Sequence, residues 1–152
     1  MLIGLIADTH GELGEDARRA LAGCELILHA GDIGANVLPG LEGIAPTVAV
    51  RGNNDLAGAE ALLPEVAFFD AAERKIAIVH RLVDAPKDGF DILVFGHCHK
   101  RHDEERDGSR YLNPGAAGRR GFHRERSVAL LRIETGVVTC EFVDLGPRSA
   151  TH

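Results

Sequence analysis

The sequence lacks the features of several large protein classes. It contains no tryptophan and only one tyrosine and one methionine in 152 residues. Its three cysteines are an odd number at wide spacing, which argues against a disulfide framework and favours a reducing compartment. The apolar start, residues 1–7, has no basic segment before it and is too short for a signal peptide or a membrane span. We therefore expect a cytoplasmic protein with no membrane partner.

The charge balance limits the partners further. The chain carries 17 Lys and Arg against 23 Asp and Glu, which gives a formal net charge of −6 at pH 7. Binding to duplex nucleic acid needs a basic face that neutralises the phosphates, so duplex binding is disfavoured. The 152 residues suit one domain that spans 1–152, and the 45% hydrophobic content is enough to bury a core.

Apolar runs bounded by turn residues predict one mixed α/β domain. The predicted strands are residues 2–7, 25–30, 47–51, 66–69, 75–80, 91–96, 127–133 and 137–143. A helix is predicted over 12–22 from an apolar stripe at helical spacing, and a short helix over 36–45. Residues 101–110 are polar and charged, which predicts an exposed turn. Strands alternate with helices early in the chain and pair as hairpins late.

Polar side chains that can bind a metal follow five of the predicted strands. In open α/β sheets ligands bind beyond the carboxyl ends of the strands, so these side chains converge if the five strands share one sheet. Asp8 and His10 are two positions apart, as are His97 and His99, and on an extended backbone each pair points to one side. Gly96 lets the backbone come close at that point.

The types of these residues indicate a metal centre. Carboxylates, imidazoles and amide oxygens suit divalent metals such as Mn, Fe, Ni or Zn. The candidate ligands are Asp8, His10, Asp32, Asn53, His80, His97 and His99. Seven are too many for one tetrahedral ion and suit two ions that share a carboxylate. Two such ions, about 3.5–4 Å apart, favour in-line displacement at phosphorus, and they lower the pKa of bound water to about 7.

The motifs, in their order along the chain, resemble those of the calcineurin-like metallophosphoesterases, and most closely the small single-domain phosphodiesterases of bacteria and archaea. They are D8-x-H10, G31-D32, G52-N53-N54-D55, H80 and G96-H97-x-H99. The segments ADTHG (7–11) and LNPGA (112–116) strengthen the resemblance, which covers residues 1 to about 120.

This resemblance implies a fold, a ligand set and an activity. The implied fold is a four-layer αββα sandwich of two mixed β-sheets flanked by helices. Asp8, His10 and His99 would bind one metal, Asn53, His80 and His97 the other, and Asp32 would bridge both. The implied activity is a phosphodiesterase with two divalent ions, Mn first and Ni, Fe or Zn as alternatives, in which a bridging hydroxide attacks phosphorus. The expected partner is a small phosphodiester substrate, and small relatives are often dimers, so a homodimer is compatible.

Two alternatives to the phosphodiesterase stay open. One is a non-catalytic protein-interaction scaffold on the same fold, as in a retromer-subunit type of relative. Scaffolds tend to lose a ligand, whereas all seven positions are chemically competent in this chain, which favours the enzyme. The other alternative is a phosphomonoesterase, which needs more cations around a dianion, and Arg81 and Arg120 are the candidates for that role.

Three features depart from the family's pattern. Many members have a histidine where this chain has Asn54, and an amide cannot deliver a proton to a leaving group, so we predict a preference for good leaving groups. Arg81 replaces a common glycine and either holds substrate phosphate or points into solvent. Residues 82–90 are too few for a comfortable helix, which predicts a more open rim.

We assign catalytic roles to Asp32, Asn54 and Asp55, and substrate contacts to Asn54, Arg81 and Arg120. A turn role, or orientation of a ligand from behind, is an alternative for Asp55.

The remaining histidines and the free thiols receive structural interpretations. His29 is predicted to be a packed structural residue, and His102, His123 and His152 to be solvated. Cys98 is predicted to be a small packed hydrophobe. The basic run at 119–126 is predicted to be a solvated loop, with attraction of an anionic substrate as the alternative.

Overall fold

A computed structural model describes residues 1–148, so His152 lies outside the described residues. The strands are β1 (Leu2–Ile6), β2 (Leu26–His29), β3 (Thr47–Ala49), β4 (Val66–Ala71), β5 (Arg74–Val79), β6 (Ile92–Val94), β7 (Arg101–Arg106), β8 (Ser109–Pro114), β9 (Glu125–Glu134) and β10 (Val137–Pro147). The α-helices are α1 (Glu15–Leu21) and α2 (Leu38–Glu42), and 3₁₀ turns span Ala59–Leu62 and Leu82–Asp84. No described helix has the length and apolar character needed to cross a membrane.

The strands form two mixed five-stranded sheets. Sheet A has the order β10-β9-β1-β2-β3, and sheet B has the order β4-β5-β6-β8-β7. In sheet A, β1, β2 and β3 are parallel, with Ile6 opposite His29 and His29 opposite Ala49. In sheet B, β5, β6 and β8 are parallel. The carboxyl ends of the parallel strands therefore lie together at one edge of each sheet, as predicted for a mixed sandwich.

The main core lies between the two sheets. Every second residue of a central strand faces this core, and Ile3 and Leu5 of β1 and Ile76 and Ile78 of β5 are fully buried there. Burial of each such side chain contributes about 1.5–3 kcal/mol relative to leaving it exposed. The two sheets are thereby held face to face, with their ligand-bearing edges on the same side.

The outer faces of the two sheets are covered differently. Helices α1 and α2 pack on sheet A through a second buried cluster that includes Leu21, Ile27 and Leu41. On sheet B, a smaller cluster contains Leu93 of β6 and Phe90 of the connection before it. That connection holds only a 3₁₀ turn, in agreement with the prediction that residues 82–90 do not form a helix.

Some sequence predictions were wrong locally. Residues 101–110 are not an exposed turn, because β7 and the start of β8 pair there as a hairpin across Asp107 and Gly108. The edge strand β7 is largely exposed and charged. Its sequence therefore lacks the alternation of apolar and polar residues by which a strand is usually recognised. The predicted helix over 12–22 is shorter, since Gly14 is its N-cap.

The cysteines are free, and two of the three are shielded. Cys24 is buried, Cys140 is partly exposed and Cys98 is exposed. The prediction of a packed Cys98 was wrong, because its turn lies at the surface, where Asn113 Nδ2 is 3.3 Å from the sulfur.

Candidate metal centre

The candidate ligands come from both sheets. Asp8, His10, Asp32 and Asn53 follow β1, β2 and β3 of sheet A, whereas His80, His97 and His99 follow β5 and β6 of sheet B. The sequence argument required the five strands to share one sheet, and this condition is not met. The facing edges of two sheets bring the side chains together, and the backbone N–H of His97 donates to Asp8 Oδ2 at 3.1 Å across the gap.

A first group contains Asp8, His10 and His99. Their candidate ligand atoms all lie within 4.8 Å of one another. His99 Nε2 is 3.4 Å from Asp8 Oδ1, and the imidazole centroids of His10 and His99 are 5.9 Å apart. Asp8 is fully buried at the floor, while both imidazoles are partly exposed. This group could hold one divalent ion.

A second group lies beside the first and shares Asp8 with it. The ligand atoms of Asp8, Asp32 and His80 also lie within 4.8 Å of one another, and all three residues are buried. His97 Nδ1 is 3.2 Å from Asn53 Oδ1, and its ring centroid is 5.2 Å from that of His80. The structure thus places the seven candidate ligands at one locality.

Asp32 lies between the two groups. Its Oδ2 is 3.7 Å from His10 Nε2 and 3.4 Å from His80 Nε2. One carboxylate oxygen therefore lies within 4 Å of an imidazole nitrogen from each predicted ligand set.

At five of the seven candidate ligands the backbone is left-handed and not extended. The φ angles of Asp8, His10, Asp32, His97 and His99 are 54°, 47°, 55°, 74° and 62°. Left-handed conformations cost non-glycine residues on the order of 1–3 kcal/mol each and often mark functional sites. The spacing argument from strand alternation was therefore wrong in its mechanism, because tight turns aim these side chains.

Gly96 has the role expected of it. A Cβ at this position would lie 3.0 Å from Asp8 Oδ2 and 3.0 Å from Ala7 Cβ. Only a residue without a side chain lets the turn after β6 lie this close to the end of β1. That close approach brings the His97 amide within hydrogen-bond distance of Asp8.

The donor atoms fit bound cations. Asp8 Oδ1 and His80 Nε2 are buried, and neither has a hydrogen-bond partner among residues 1–148. His80 Nδ1 is 2.7 Å from Ala30 O and donates to it, which leaves the lone pair on Nε2. A buried polar atom without a partner costs about 1–3 kcal/mol, and bound divalent cations would satisfy both atoms.

The surroundings of Asp32 favour its ionised form. Burial alone would raise the pKa of Asp32, but the His80 imidazole 3.4 Å away and the two hydrogen bonds from Asn54 outweigh it and hold the pKa well below its ordinary value. Burial alone would lower the pKa of His80, but the adjacent carboxylates of Asp32 and Asp8 favour its charged form and raise the pKa overall. Burial lowers the pKa of His10. Asp32 is consequently anionic at neutral pH and available to a cation.

Comparison with known proteins identifies the family of the chain. The model of the calcineurin-like phosphoesterase superfamily domain matches residues 1–136. The chain belongs to the calcineurin-like phosphoesterase superfamily. It is 32% identical over 164 residues to a probable metallophosphoesterase of Methanothermobacter thermautotrophicus, with 96% of this chain and 94% of the relative covered. Membership indicates a metallophosphoesterase, a hydrolase that uses divalent metal ions.

Solved structures show the same fold. A novel archaeal phosphodiesterase superposes with a TM-score of 0.78 at 25% identity, covering 95% of this chain and 100% of that chain. Vps29 from Entamoeba histolytica, solved in complex with Zn²⁺, superposes with a TM-score of 0.73 at 25% identity, covering 95% and 99%. The two-sheet sandwich predicted from the motifs is therefore confirmed.

Asn54 and Asp55 of this phosphoesterase have different surroundings. The backbone N–H of Asn54 donates to Asp32 Oδ1 at 2.8 Å, and its Nδ2 donates to Asp32 Oδ2 at 2.9 Å. Asp55 is buried and accepts from the backbone amides of Ile33, Gly34 and Gly52 at 2.8–3.2 Å. Asn54 thus faces the site, whereas Asp55 ties the turns after β2 and β3 together from behind.

The two candidate substrate arginines lie on different sides of the metallophosphoesterase site. Arg120 lines a groove of about 200 Å³ together with His10, Asp32, Asn54 and His99. Arg81 lines an adjacent groove of about 260 Å³, and its Nε donates to Asp84 at 2.9 Å.

His29 is a packed structural residue, as predicted. It is fully buried, and its Nδ1 accepts from Gly31 N–H at 3.1 Å, so Nε2–H donates to Thr9 Oγ1 at 3.0 Å. Thr9 Oγ1 in turn donates to Ile33 O at 2.7 Å. Burial lowers the pKa of His29 to about 3, which keeps the ring neutral.

The basic run at 119–126 is not uniformly solvated. Arg126 is only 2% exposed and pairs with Asp16, with Nη1 3.0 Å from Oδ2. His123 is partly buried, and its Nδ1 lies 3.0 Å from Nδ1 of His99. The prediction that His123 is solvated was therefore wrong. For His102, which was also predicted to be solvated, the side chain is 37% exposed and lies 3.0 Å from Glu104. The sequence feature that could have indicated this contact is Gly121, because a residue without a side chain lets the loop pack closely against His99 and His123.

Proposed function

We propose that the chain is a binuclear metal-dependent phosphodiesterase. The observation that carries this proposal is Asp32 Oδ2, which lies 3.7 Å from His10 Nε2 and 3.4 Å from His80 Nε2. Such a position suits a carboxylate shared by two ions. In the proposal, Asp8, His10 and His99 hold one ion, Asn53, His80 and His97 hold the other, and Asp32 binds both.

Metal ions and side chains divide the proposed chemistry between them. When bound, two divalent ions lower the pKa of water to about 7, supply hydroxide for in-line attack at phosphorus and offset developing negative charge. Asp8 and Asp32 contribute two negative charges against four positive ones, so the loaded site attracts an anion. Asn54 Nδ2–H, which donates to Asp32 at 2.9 Å, lies where it can also donate to a phosphate oxygen.

The distribution of cations favours a diester over a monoester. A phosphomonoester is a dianion near neutral pH and needs more positive groups than a diester. Arg81 is paired with Asp84, which leaves Arg120 as the arginine that lines the groove itself. The solved archaeal relative named as a phosphodiesterase supports the same choice. We propose Mn²⁺ as the native metal, with Ni, Fe or Zn as alternatives, and a cytoplasmic location.

The test compares two substrates with one leaving group. Chelator-stripped protein with and without Mn²⁺ is assayed on an aryl phosphodiester and on the matching aryl monoester. We expect Mn²⁺-dependent cleavage of the diester that disappears in His97→Ala and persists in His102→Ala, which changes a histidine outside the candidate ligands. Preference for the monoester would replace the diesterase proposal with a monoesterase.

A non-catalytic scaffold is the second candidate. Leu56 is 81% exposed and lines the groove that Arg81 lines, and Val83, next in the chain to Asp84, is 85% exposed. Exposed apolar side chains beside a binding groove are typical of a protein interface. Metal binding without turnover of either ester, with any of the four metals, would favour the scaffold over the enzyme.

A further inference from the structure

His123 and His99 form a directional hydrogen-bond chain. His123 Nε2 lies 2.8 Å from the carbonyl oxygen of Gly118, which can only accept, so Nε2 carries the proton. The Nδ1 atom of a neutral His123 is then an acceptor, and His99 Nδ1, 3.0 Å away, must donate to it. The lone pair of His99 is left on Nε2, which faces Asp8 Oδ1 at 3.4 Å.

We propose that His123 is a positioning residue that holds His99 in the tautomer with Nδ1 protonated and Nε2 free to bind metal. The inference rests on the metal centre proposed above, and it concerns a residue outside the seven ligands. Metal-binding histidines generally donate their second ring N–H to a fixed acceptor. His80 uses a backbone carbonyl of Ala30 for this purpose, at 2.7 Å, and His99 uses the ring of His123.

The loop around His123 is built for this contact. Gly121 has φ 128°, and a Cβ there would lie 2.5 Å from His99 Nδ1 and 3.1 Å from His123 Nδ1. The loop is also anchored on the first ligand, since Gly118 N–H donates to Asp8 O at 3.1 Å. The rings of His99 and His123 meet edge to face, with centroids 4.8 Å apart.

The tautomers can be measured directly in the metal-free protein. Long-range ¹⁵N–¹H correlation spectra at about pH 8, above the ordinary histidine pKa, distinguish the two ring nitrogens. We expect Nδ1–H for His99 and Nε2–H for His123. A His99 ring protonated at Nε2 in the unmodified chain would overturn the proposal, and this measurement needs neither a variant nor turnover.

Two variants then test the consequence for metal binding. His123→Phe keeps the ring shape and removes both nitrogens, and we expect a 10–100-fold loss of Mn²⁺ or Zn²⁺ affinity with mixed tautomers at His99. His123→Asn keeps an acceptor near the place of Nδ1 and should recover most of the affinity. Affinity is measured by competition with a chromophoric chelator, with His102→Phe as control. Unchanged affinity in His123→Phe would refute the positioning role, whereas tight metal binding without hydrolysis would refute only the phosphodiesterase.

A separate groove opens on the other side of His99. Its volume is about 510 Å³, and its lining includes Lys100, Phe122, Arg124 and Glu125. The Phe122 side chain is 100% exposed. Arg101, at the same wall, is paired with Asp144 at 3.4 Å and Glu125 at 3.7 Å, which leaves Lys100 and Arg124 as the cations that can meet a ligand.

We infer that this groove binds the non-leaving side of the substrate and that this side is a nucleotide. The inference rests on the proposed phosphodiesterase, and its geometric basis is that His99 lines both this groove and the groove at the other candidate ligands. An exposed aromatic ring can stack on a base, and Lys or Arg can bind a further phosphate. Phe122 supplies the ring, and Lys100 and Arg124 supply the cations.

Three substrates that share a 4-nitrophenol leaving group test this subsite. They are bis(4-nitrophenyl) phosphate, thymidine 5′-(4-nitrophenyl phosphate) and the latter with a 3′-phosphate. Phe122→Ala should raise KM about tenfold for both nucleotides and leave the simple diester unchanged. Lys100→Ala and Arg124→Ala should raise KM only for the 3′-phosphate. Equal effects on all three substrates, or none, would overturn the subsite, while cleavage of the simple diester would still support the phosphodiesterase.

Discussion

Oδ1 of Asp8 lies 3.9 Å from Nε2 of His80, and within residues 1–148 neither atom has a hydrogen-bond partner. The carboxylate comes from the end of a sheet A strand and the imidazole from the end of a sheet B strand. Two cations, one bound at each of these atoms and both bound by Asp32, would satisfy the buried atoms and link the two sheets.

Metal should therefore stabilise the fold. We expect added Mn²⁺ or Zn²⁺ to raise the melting temperature of stripped protein, by an amount equivalent to about 2.7 kcal/mol at a free metal concentration 100 times Kd. Asp8→Asn should reduce this shift and His102→Ala should not, as measured by calorimetry. An equal shift in Asp8→Asn would contradict the assigned role of Asp8.

Asp55 should matter for stability more than for chemistry. Asp55→Ala removes the acceptor of three backbone amides, those of Ile33, Gly34 and Gly52, and should cost about 3–5 kcal/mol of unfolding free energy. Asp55→Asn keeps one oxygen acceptor and should lose less. Urea unfolding measures both variants. A stable Asp55→Ala protein without turnover would instead assign Asp55 a direct catalytic role.

Stability should fall in mild acid partly because of His29. Its pKa is about 3 in the folded chain and 6.5 ordinarily, so between these values only the unfolded chain binds the proton. The unfolding free energy then decreases as pH falls below about 6.5, by up to about 1.4 kcal/mol per pH unit from this group.

His29→Gln isolates that contribution, because His80, with its raised pKa, acts in the opposite direction in both proteins. Urea unfolding of stripped protein between about pH 6.5 and pH 4 should give a shallower acid slope for the variant. Identical slopes would show that His29 takes up a proton in the folded state.

Asn54 should restrict the leaving group. An amide cannot donate a proton to an alkoxide, so aryl diesters should be cleaved much faster than unactivated alkyl diesters. Asn54→His should narrow this gap at least about tenfold, since general acid catalysis contributes about 10²–10⁴. Asn54→Gln, which also cannot deliver a proton, is the control. Equal cleavage of alkyl and aryl esters by the unmodified chain would disprove the prediction.

Much of the fold was predictable, because the buried strands carry continuous apolar runs that end in polar turn residues. Strand β7 was not, since its sequence RHDEER places charges on a largely exposed edge strand. The hairpin between β4 and β5 was predictable from the two strands that flank it, although Ala72 and Glu73 in its turn both adopt positive φ without glycine or asparagine.

The candidate ligands were predictable as a set, but their geometry was not. Their residue types and their order can be read directly from the sequence, whereas the left-handed turns at Asp8 and His97 depend on packing between two sheets. The contact of His123 with His99 spans 24 positions of the chain and a loop with no periodic pattern. Such a contact is fixed by tertiary structure alone.

The division of the site between two sheets has a mechanical consequence. Neither sheet carries a complete set of ligands. The geometry of the metal centre therefore depends on how the two sheets are aligned. A core substitution between the sheets, such as one at Ile76 or Leu5, would change how they pack and therefore the distances between the ligands of the two sheets. Metal affinity would then depend on the packing of the core between the sheets, even for substitutions that touch no ligand.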